Sequence, residues 1–542
     1  MLALLNAVIH TLDPARPRAS ALLVRGDRIA AVGDDRQVLS AASGPVERLD
    51  LKRRAVVPGL IDAHIHLLSY GLSLRVVDLD NLPSLHRCVE KVRERVKQTA
   101  QGAWVTGRGW NYTVWEEGRP PHRSDLDPVS PGHPVLLTSK NGHQAWCNTS
   151  ALRLAGVDRN TPDPRGGRIE RDARGEPTGV LSEEAIGLVS IHVPPPGDLR
   201  SAFLDAQRIA SAQGLTGFHD CDAHGYDGIA MRGLLEDLHH SGDLALRAYL
   251  MVPDHRIDEA IASGWRTGDG SDHVRVGPVK AFADGALGPR TADLLDPYEG
   301  EPDNRGIVVA DDEQLLDLTT KAHRNGLRVA VHAIGDRAVR RCLDAFEKSQ
   351  QHVPGDFRPR VEHVQIVHPD DLPRFKRLGA VASMQPIHAT SDMHMADRFW
   401  GSRSRRSYAW RSLLDAGAAL AFGSDCPVEP LGPLAGLHAA VTRQRPDGVP
   451  RGGWTPEQRI TLTEALRAYT YGSAYAAGQE ADLGTLAPGK FADLVVLSQD
   501  PFALPPEEIP RAEVAMTMVG GRIVYESGTQ EIRKPDPFFL SS

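Results

Sequence analysis

Short apolar runs alternate with amphipathic segments through the middle of the chain. Each run is about seven residues long, as in a buried strand, and segments with the period of a helix, such as GIAMRGLLEDLHHSG and DEQLLDLTTKAHRNG, lie between several of them. Eight strands alternating with helices predict an α/β fold built on a (β/α)8 TIM-like barrel. The predicted strands, from one to eight, are LIDAHIH (60–66), LTGFHDC (215–221), LRAYLMV (246–252), VGPVKAF (276–282), RVAVHAI (328–334), RVEHVQI (360–366), AVASMQP (380–386) and ALAFGSD (419–425).

The two ends of the chain show short strands and turns instead. The N-terminal piece RGDRIAAVG has a hairpin pattern with Gly-Asp at its turn, and VAMTMVGGRIVYESG near the C-terminus has another with Gly-Gly. Neither end has enough strands for a stable sandwich of its own. We therefore expect residues 1–57 and 481–542 to pair into one small β-sandwich, with the barrel formed by residues 58–480.

The connection between predicted strands one and two is too long for a single crossover. About 150 residues separate these strands, far more than an ordinary barrel connection. The segment contains many prolines, several tryptophans and a ninth strand candidate, PVLLTSK, which leaves the numbering of strand two open. We expect residues 70–200 to form an inserted subdomain over the barrel mouth.

Composition and charge exclude several classes of protein. Hydrophobic residues make up 41% of the chain and charged residues 24%, which is typical of a soluble globular protein. The net charge of −8 and the absence of a basic run argue against a nucleic-acid partner. No apolar run reaches the roughly 18 residues of a membrane span, and the start has no signal-peptide pattern. The five cysteines are scattered, as in a reducing compartment, so we expect a cytoplasmic protein.

Two histidines close the first predicted barrel strand. His64 and His66 are two residues apart, so in a strand both side chains point to the same face. Two imidazoles on one face at the end of a buried strand can bind one metal ion. The alternative is a pair of core histidines satisfied by hydrogen bonds.

Four later strands carry similar residues towards their C-terminal ends, where barrel enzymes have their active sites. These are Lys280, His332, His363 and Asp425. Each has a simpler explanation: a surface lysine, two core histidines and a helix N-cap before Pro427. An unpaired ammonium is nevertheless expensive in an apolar strand such as VGPVKAF. Together with His64 and His66, these residues are hard to explain without a metal centre.

Seven longer stretches add to these residues: GRGWNYTVWEEGRPPHRSDLD, NGHQAWCNTSAL, KAFADGALGPRTA, HAIGDRAV, EHVQIVHPDD, SMQPIHATSD and GSDCPVEPLGPLAGLHAAV. Together these motifs resemble the amidohydrolase superfamily, whose members combine a distorted (β/α)8 barrel with a β-sandwich built from both termini. The sequences of these motifs are similar to those of the amidohydrolase-3 (YtcJ-like) branch, which includes N-substituted formamide deformylases. The family often has an aspartate where this chain has Asn141, before Gly142 and His143; this departure leaves His143 unchanged.

The resemblance implies a metal-dependent hydrolase of carbon–nitrogen bonds other than peptide bonds. It implies one or two divalent ions, which we expect to be Zn²⁺. A divalent ion makes hydroxide available near neutral pH. In the family pattern, His64 and His66 bind the more buried ion with Asp425, His332 and His363 bind the second, and a carboxylated Lys280 bridges both. Asp425 is the expected general base.

Candidates for substrate binding are His143, Trp110, Arg290 and His388. Trp110, Trp115 and Trp146 fit equally well as a pocket wall or as the core of the insertion. The leading hypothesis is hydrolysis of a small linear amide or formamide. A cyclic-amide hydrolase or deaminase would use the same ligands, and a non-catalytic binding protein should lack some of them. The sequence leaves open whether the chain forms a homodimer.

Overall fold

The computed structural model describes residues 1–140, 142–195, 197–222 and 227–528. The described chain forms two compact units, one of residues 1–67 with 207–528 and the other of residues 68–206. The last part of the predicted C-terminal segment, residues 529–542, lies outside the described residues. No helix in the described ranges is long and apolar enough to cross a membrane.

Eight parallel strands form one sheet in the first unit, and they follow one another in chain order. The ends of this sheet are joined after the last strand, where the Asp425 amide donates to the His64 carbonyl (2.7 Å) and the His66 amide to the Cys426 carbonyl (2.9 Å). The predicted barrel is therefore confirmed. Its strands are β1 Leu60–Ile65, β2 Leu215–Asp220, β3 Arg247–Pro253, β4 Val274–Phe282, β5 Val329–Ala333, β6 Arg360–His363, β7 Val381–Met384 and β8 Ala419–Phe422.

Helices follow most of the barrel strands. The helix before β5 is capped by Asp311, whose side chain accepts from the Gln314 amide in a capping box, and it carries basic residues in its last turn. The next helix buries Val339, Leu343 and Phe346 on one face. The main helices of this unit are Gly228–His240, Ile257–Ala262, Asp312–Arg324, Asp336–His352, Leu372–Leu378, Pro386–Trp400, Trp410–Asp415, Pro433–Thr442, Leu462–Arg467 and Ser473–Ala477.

Two further sheets of this unit form the predicted sandwich: both ends of the chain contribute strands to the six-stranded sheet, and the N-terminal part alone forms the four-stranded sheet. Met516 and Val496 from the C-terminal part pack in one apolar cluster with Leu4 and Leu22 from the N-terminal part. The six-stranded sheet has the order Arg522–Glu526, Val514–Val519, Leu494–Leu497, Ala55–Pro58, Val8–His10 and Arg18–Ala19, and the four-stranded sheet has the order Arg28–Gly33, Ala21–Arg25, Leu2–Leu5 and Glu47–Asp50.

The second unit is the segment inserted after β1, and it has its own six-stranded sheet. The candidate strand PVLLTSK lies there, as Val135–Ser139, so the numbering of the barrel strands stands. The sheet has the order Gly167–Arg171, Pro177–Glu183, Gln144–Cys147, Val135–Ser139, Val105–Trp110 and Val77–Asp78. Helices lie within this segment and across its two ends. They include Leu67–Ser73, Leu85–Gln98, Arg123–Leu126, Thr149–Leu154, Gly187–Ser190 and Leu199–Ala212.

Candidate metal centre

Three predicted ligands converge at the C-terminal ends of β1 and β8. His64 lies near the end of β1, His66 follows the strand, and Asp425 lies three residues beyond β8. One ligand atom from each residue lies within 4.8 Å of the other two. Asp425 Oδ1 is 3.2 Å from His66 Nε2 and 3.6 Å from His64 Nε2. The two histidines therefore share a face, as their spacing predicts.

The backbone around this cluster is held by a buried carboxylate. Asp62 Oδ1 accepts from the amides of His64 (3.1 Å) and Ser424 (3.0 Å), and so ties the end of β1 to the segment after β8. Burial raises the pKa of Asp62 to about 7. Asp425 itself has a left-handed backbone with a φ of 60°, a conformation that aspartate tolerates better than most residues. This turn directs the Asp425 carboxylate towards the two histidines.

His332 and His363, at the ends of β5 and β6, lie beside this cluster. The His363 ring centroid is 4.7 Å from that of His64 and 4.6 Å from that of His332. His363 Nδ1 lies 2.8 Å from Gln385 Oε1 and His332 Nε2 lies 2.9 Å from the Gly285 carbonyl. Both partners are acceptors, so these nitrogens donate. His363 Nε2 and His332 Nδ1 then carry the lone pairs that could bind a metal.

The protonation of these histidines follows from burial. Burial, assisted by the nearby Lys280 ammonium, lowers the pKa of His332 to about 3. Burial and His332 together lower the pKa of His363 well below its ordinary value. Both rings are therefore neutral near pH 7, as metal ligands must be.

Lys280 lies inside the barrel wall on β4. It is 1% exposed, and its Nζ lies 4.3 Å from the centroid of the Phe282 ring. Burial lowers the pKa of Lys280, partly opposed by nearby Cys221 and Glu362. The surface-lysine alternative is therefore excluded, and a neutral amine is favoured more than in water.

Each histidine of the first pair also contacts a carboxylate that the sequence analysis missed. His64 Nδ1 lies 2.6 Å from Glu362 Oε2, and His66 Nδ1 lies 2.7 Å from Asp222 Oδ1. Burial alone would lower the pKa of His66, but Asp222 and Asp425 raise it to about 10. Such carboxylate–histidine pairs orient metal ligands and raise their basicity.

The donor set fits a divalent cation. It consists of imidazole nitrogens and a carboxylate oxygen, the ligands of zinc and related ions. Burial alone would raise the pKa of Asp425, but its contacts with His388 and His66 hold it well below the ordinary value, so the ligand is anionic. Three buried carboxylates, Asp222, Glu362 and Asp425, surround the histidine pair. A cation there would be stabilised by this negative charge.

Two of the predicted substrate-binding residues lie in the same unit as the cluster. His388 is buried, with its Nε2 3.2 Å from Asp425 Oδ2. Arg290 forms an ion pair with Glu301 and lies 5.5 Å from the centroid of the Phe399 ring. The structure thus brings His388 to the candidate base, whereas for Arg290 the interactions found are with its own loop and Phe399.

The other two lie in the inserted unit. Trp110 is 1% exposed and donates from Nε1 to the Leu137 carbonyl (2.7 Å), inside an apolar cluster that also contains Trp115 and Trp146. The ring of Trp110 is therefore part of the core of this unit, and its substrate-binding role stays a prediction. His143 Nδ1 lies 3.0 Å from Glu183 Oε2, and its binding role stays a prediction. Asn141 lies outside the described residues.

Comparisons with known proteins identify the family of the chain. Residues 47–525 match the model of the amidohydrolase family. YtcJ of Bacillus subtilis strain 168 is 35% identical, covering 96% of this chain and 98% of its own, and an N-substituted formamide deformylase of Arthrobacter pascens is 30% identical, covering 97% and 98%. A crystal structure of an uncharacterized metal-dependent hydrolase from Pyrococcus horikoshii is 29% identical with a TM-score of 0.78, covering 93% and 99%. The chain belongs to the amidohydrolase family.

Proposed function

We propose that this protein is a metal-dependent amidohydrolase that cleaves the carbon–nitrogen bond of a small linear amide or formamide. The observation that carries the proposal is the convergence of His64, His66 and Asp425 within 4.8 Å at the C-terminal ends of β1 and β8. Active sites of barrel enzymes lie at this end. The similarity to an N-substituted formamide deformylase over nearly the whole chain supports the amide-like substrate.

His64, His66 and Asp425 would hold the first ion, and His332 with His363 would hold the second. The nitrogen and oxygen donors favour Zn²⁺. Bound there, the metal would make water acidic enough to act as a nucleophile near pH 7 and would polarise the substrate carbonyl. The residues themselves supply neutral imidazoles at His332 and His363 and an ionised carboxylate at Asp425.

Lys280, as a carbamate, would link the ligands of the first ion to those of the second. Its lowered pKa favours the neutral amine, which is the form that attacks CO2. The N–C bond would form as one C=O π bond of CO2 opens, the amine proton would pass to solvent, and the product would carry one negative charge on two oxygens. This changes the sign of the charge that β4 presents to the centre and adds an oxygen donor for each ion.

Asp425 is the proposed general base. Oδ1 faces His64 and His66, whereas Oδ2 lies 3.2 Å from His388 Nε2. We assign Oδ2 to accept the proton of the attacking water and to pass it to the leaving nitrogen. The carboxylate can do this because it is ionised before the reaction.

His388 would hold the substrate oxygen. Burial alone would lower the pKa of His388, but Asp392 and Asp425 raise it to about 10, so the ring is an imidazolium near pH 7. A positively charged donor next to the base would stabilise negative charge that develops on the carbonyl oxygen.

The test is a hydrolysis panel with the zinc-loaded protein, containing N-substituted formamides, N-acyl amino acids, cyclic imides and aminated heterocycles. We expect turnover of linear amides or formamides and its loss in His66→Ala. His255→Ala, at a histidine whose side chain is 61% exposed, is the matched control and should keep full activity. Turnover of the cyclic imides alone would show that the substrate is a cyclic amide and not a linear one. Turnover of the aminated heterocycles alone would show that the protein is a deaminase. No turnover together with no bound metal would favour a binding protein.

A further inference from the structure

An arginine and a glutamate lie inside the barrel below the metal-ligand cluster. Arg360 is 1% exposed and Glu362 is fully buried. They are two residues apart on β6, so both point to the barrel interior, which in such barrels is filled mostly by branched apolar side chains. Burying an ion pair costs desolvation free energy that apolar packing would avoid. The pair therefore calls for an explanation beyond stability.

Arg360 links its own strand, β6, to three other strands. Its Nε donates to Glu362 Oε1 (2.8 Å), and its terminal nitrogens contact His219 Nδ1 of β2 (2.9 Å) and the Ala63 carbonyl of β1 (2.7 Å). A further contact reaches Ser383 Oγ on β7 (3.0 Å). The rigid guanidinium thus fixes the position of Glu362 relative to β1, the strand that carries His64.

Glu362 passes this constraint to His64. Arg360 donates to both oxygens of Glu362, from Nε to Oε1 (2.8 Å) and from a terminal nitrogen to Oε2 (3.2 Å), so the carboxylate is paired with a permanent cation and its oxygens accept hydrogen bonds. At 2.6 Å from Oε2, His64 Nδ1 must carry the proton. In the neutral ring the lone pair is then on Nε2, the atom 3.6 Å from Asp425 Oδ1.

We propose that Arg360 and Glu362 are positioning residues that fix the tautomer and orientation of His64 for metal binding. The inference rests on the proposed function only in assigning His64 as a ligand. The pair does not contact the substrate. It acts by keeping one imidazole nitrogen protonated and turned away from the ion, so that the other one is presented to it.

The chain offers a matched control for this idea. Arg247 on β3 and Asp493 form a second buried pair, with exposures of 5% and 4% and contacts of 2.7 and 3.0 Å. This pair joins the start of β3 to the end of β-strand Ala55–Pro58, since the Gly59 amide donates to the Asp493 carbonyl (2.9 Å). Asp493 makes no contact with a predicted metal ligand among the hydrogen bonds of the described residues. The two pairs have the same chemistry but different neighbours.

The experiment compares Glu362→Gln with Asp493→Asn in the full-length protein. Zn²⁺ affinity is measured by competition with a chromophoric chelator, and the Co²⁺-substituted proteins are compared by their visible absorption spectra. Unfolding temperatures of the metal-free proteins report on stability alone. We expect Glu362→Gln to weaken Zn²⁺ binding about 10- to 100-fold and to change the Co²⁺ spectrum. Asp493→Asn should lower the unfolding temperature and leave both metal readouts unchanged.

Equal Zn²⁺ affinity and an unchanged Co²⁺ spectrum in Glu362→Gln would overturn the proposal and leave the pair as a packing element. An equal loss of affinity in both variants would also overturn it, because the effect would then be global. If Glu362→Gln does not fold, Glu362→Asp keeps the charge but shortens the reach to His64, and it is judged by the same two readouts. None of these readouts requires turnover, so a failed substrate assignment would show separately in the hydrolysis panel.

Discussion

The two halves of the predicted ligand set are built differently. In the first half, His64, His66 and Asp425 bring one ligand atom each within 4.8 Å, so the site is formed by the protein alone. In the second half, the rings of His332 and His363 lie 4.6 Å apart, and Lys280 Nζ lies against the ring of Phe282. The second half needs a bridging group to become a comparable site.

The partners of the histidines explain the difference. His64 and His66 each contact a carboxylate, whereas His332 and His363 contact the carbonyl and amide oxygens of Gly285 and Gln385. Carboxylate partners make an imidazole a stronger ligand than neutral oxygens do. We therefore expect the first half to bind its ion more tightly than the second half does. Substitutions in the first half should also cause larger losses of metal binding and activity.

The largest effect is expected from His66→Ala. Removing one of three converging ligands should abolish tight binding of the first ion and lower kcat/KM by about a thousandfold or more. The fold should survive, because His66 lies beyond the last residue of β1. Metal content by elemental analysis and circular dichroism check both parts. A metal-loaded variant with full activity would contradict the assignment of the first half.

Lys280→Ala should come next. It removes the proposed bridge, so we expect loss of the second ion and about a hundredfold loss of activity. Short carboxylic acids added in solution should restore part of the activity by occupying the space that the lysine vacates. Lys280→Met, which keeps most of the volume, should respond less to the acids. Full activity of Lys280→Ala with one bound ion would show that the bridge is not needed.

His363→Asn should have a smaller effect on metal binding. We expect the zinc content to fall from two ions to one, with the affinity for the remaining ion within about tenfold of that of the unaltered protein. Titration of the metal-free protein with Zn²⁺ gives both quantities. Loss of both ions together would mean that the two halves form a single cooperative site. It would contradict the proposed difference in metal binding between them.

The sequence predicts the framework of the centre well. All eight apolar runs are barrel strands, with ends shifted by a few residues, because strands buried on both faces read as continuous apolar segments. His64 and His66 share a face because a two-residue spacing does so in any strand. Asp425 was included in the ligand set by its position at the end of the eighth predicted strand, although no local pattern predicts its φ of 60°.

The partners of the ligands were missed for physical reasons. In a regular strand, Glu362 and His363 would point to opposite faces, so the pattern does not suggest that both face the centre. His363 has a φ of 73°, which ends the strand regularity and turns its side chain inwards. Asp222 and Gln385 reach the site from other segments of the chain. Such contacts form only when the barrel closes, and they produce no recognisable residue spacing in the sequence.

The smallest expected effect is a difference in pH dependence, measured on the one-ion variant His363→Asn. His66, with a pKa of about 10, holds a proton at pH 7, and an ion can bind only when that proton leaves. Since Asp425 is already ionised, one proton is released, and affinity for the first ion should rise about tenfold per pH unit between pH 6 and 9.

Adding Asp222→Asn removes the largest cause of the raised pKa of His66. The rise of affinity with pH should then level off at a lower pH than it does with Asp222 present. Isothermal titration in buffers of different ionisation enthalpy counts the released protons. Equal slopes with and without Asp222 would mean that its carboxylate does not set the protonation of His66.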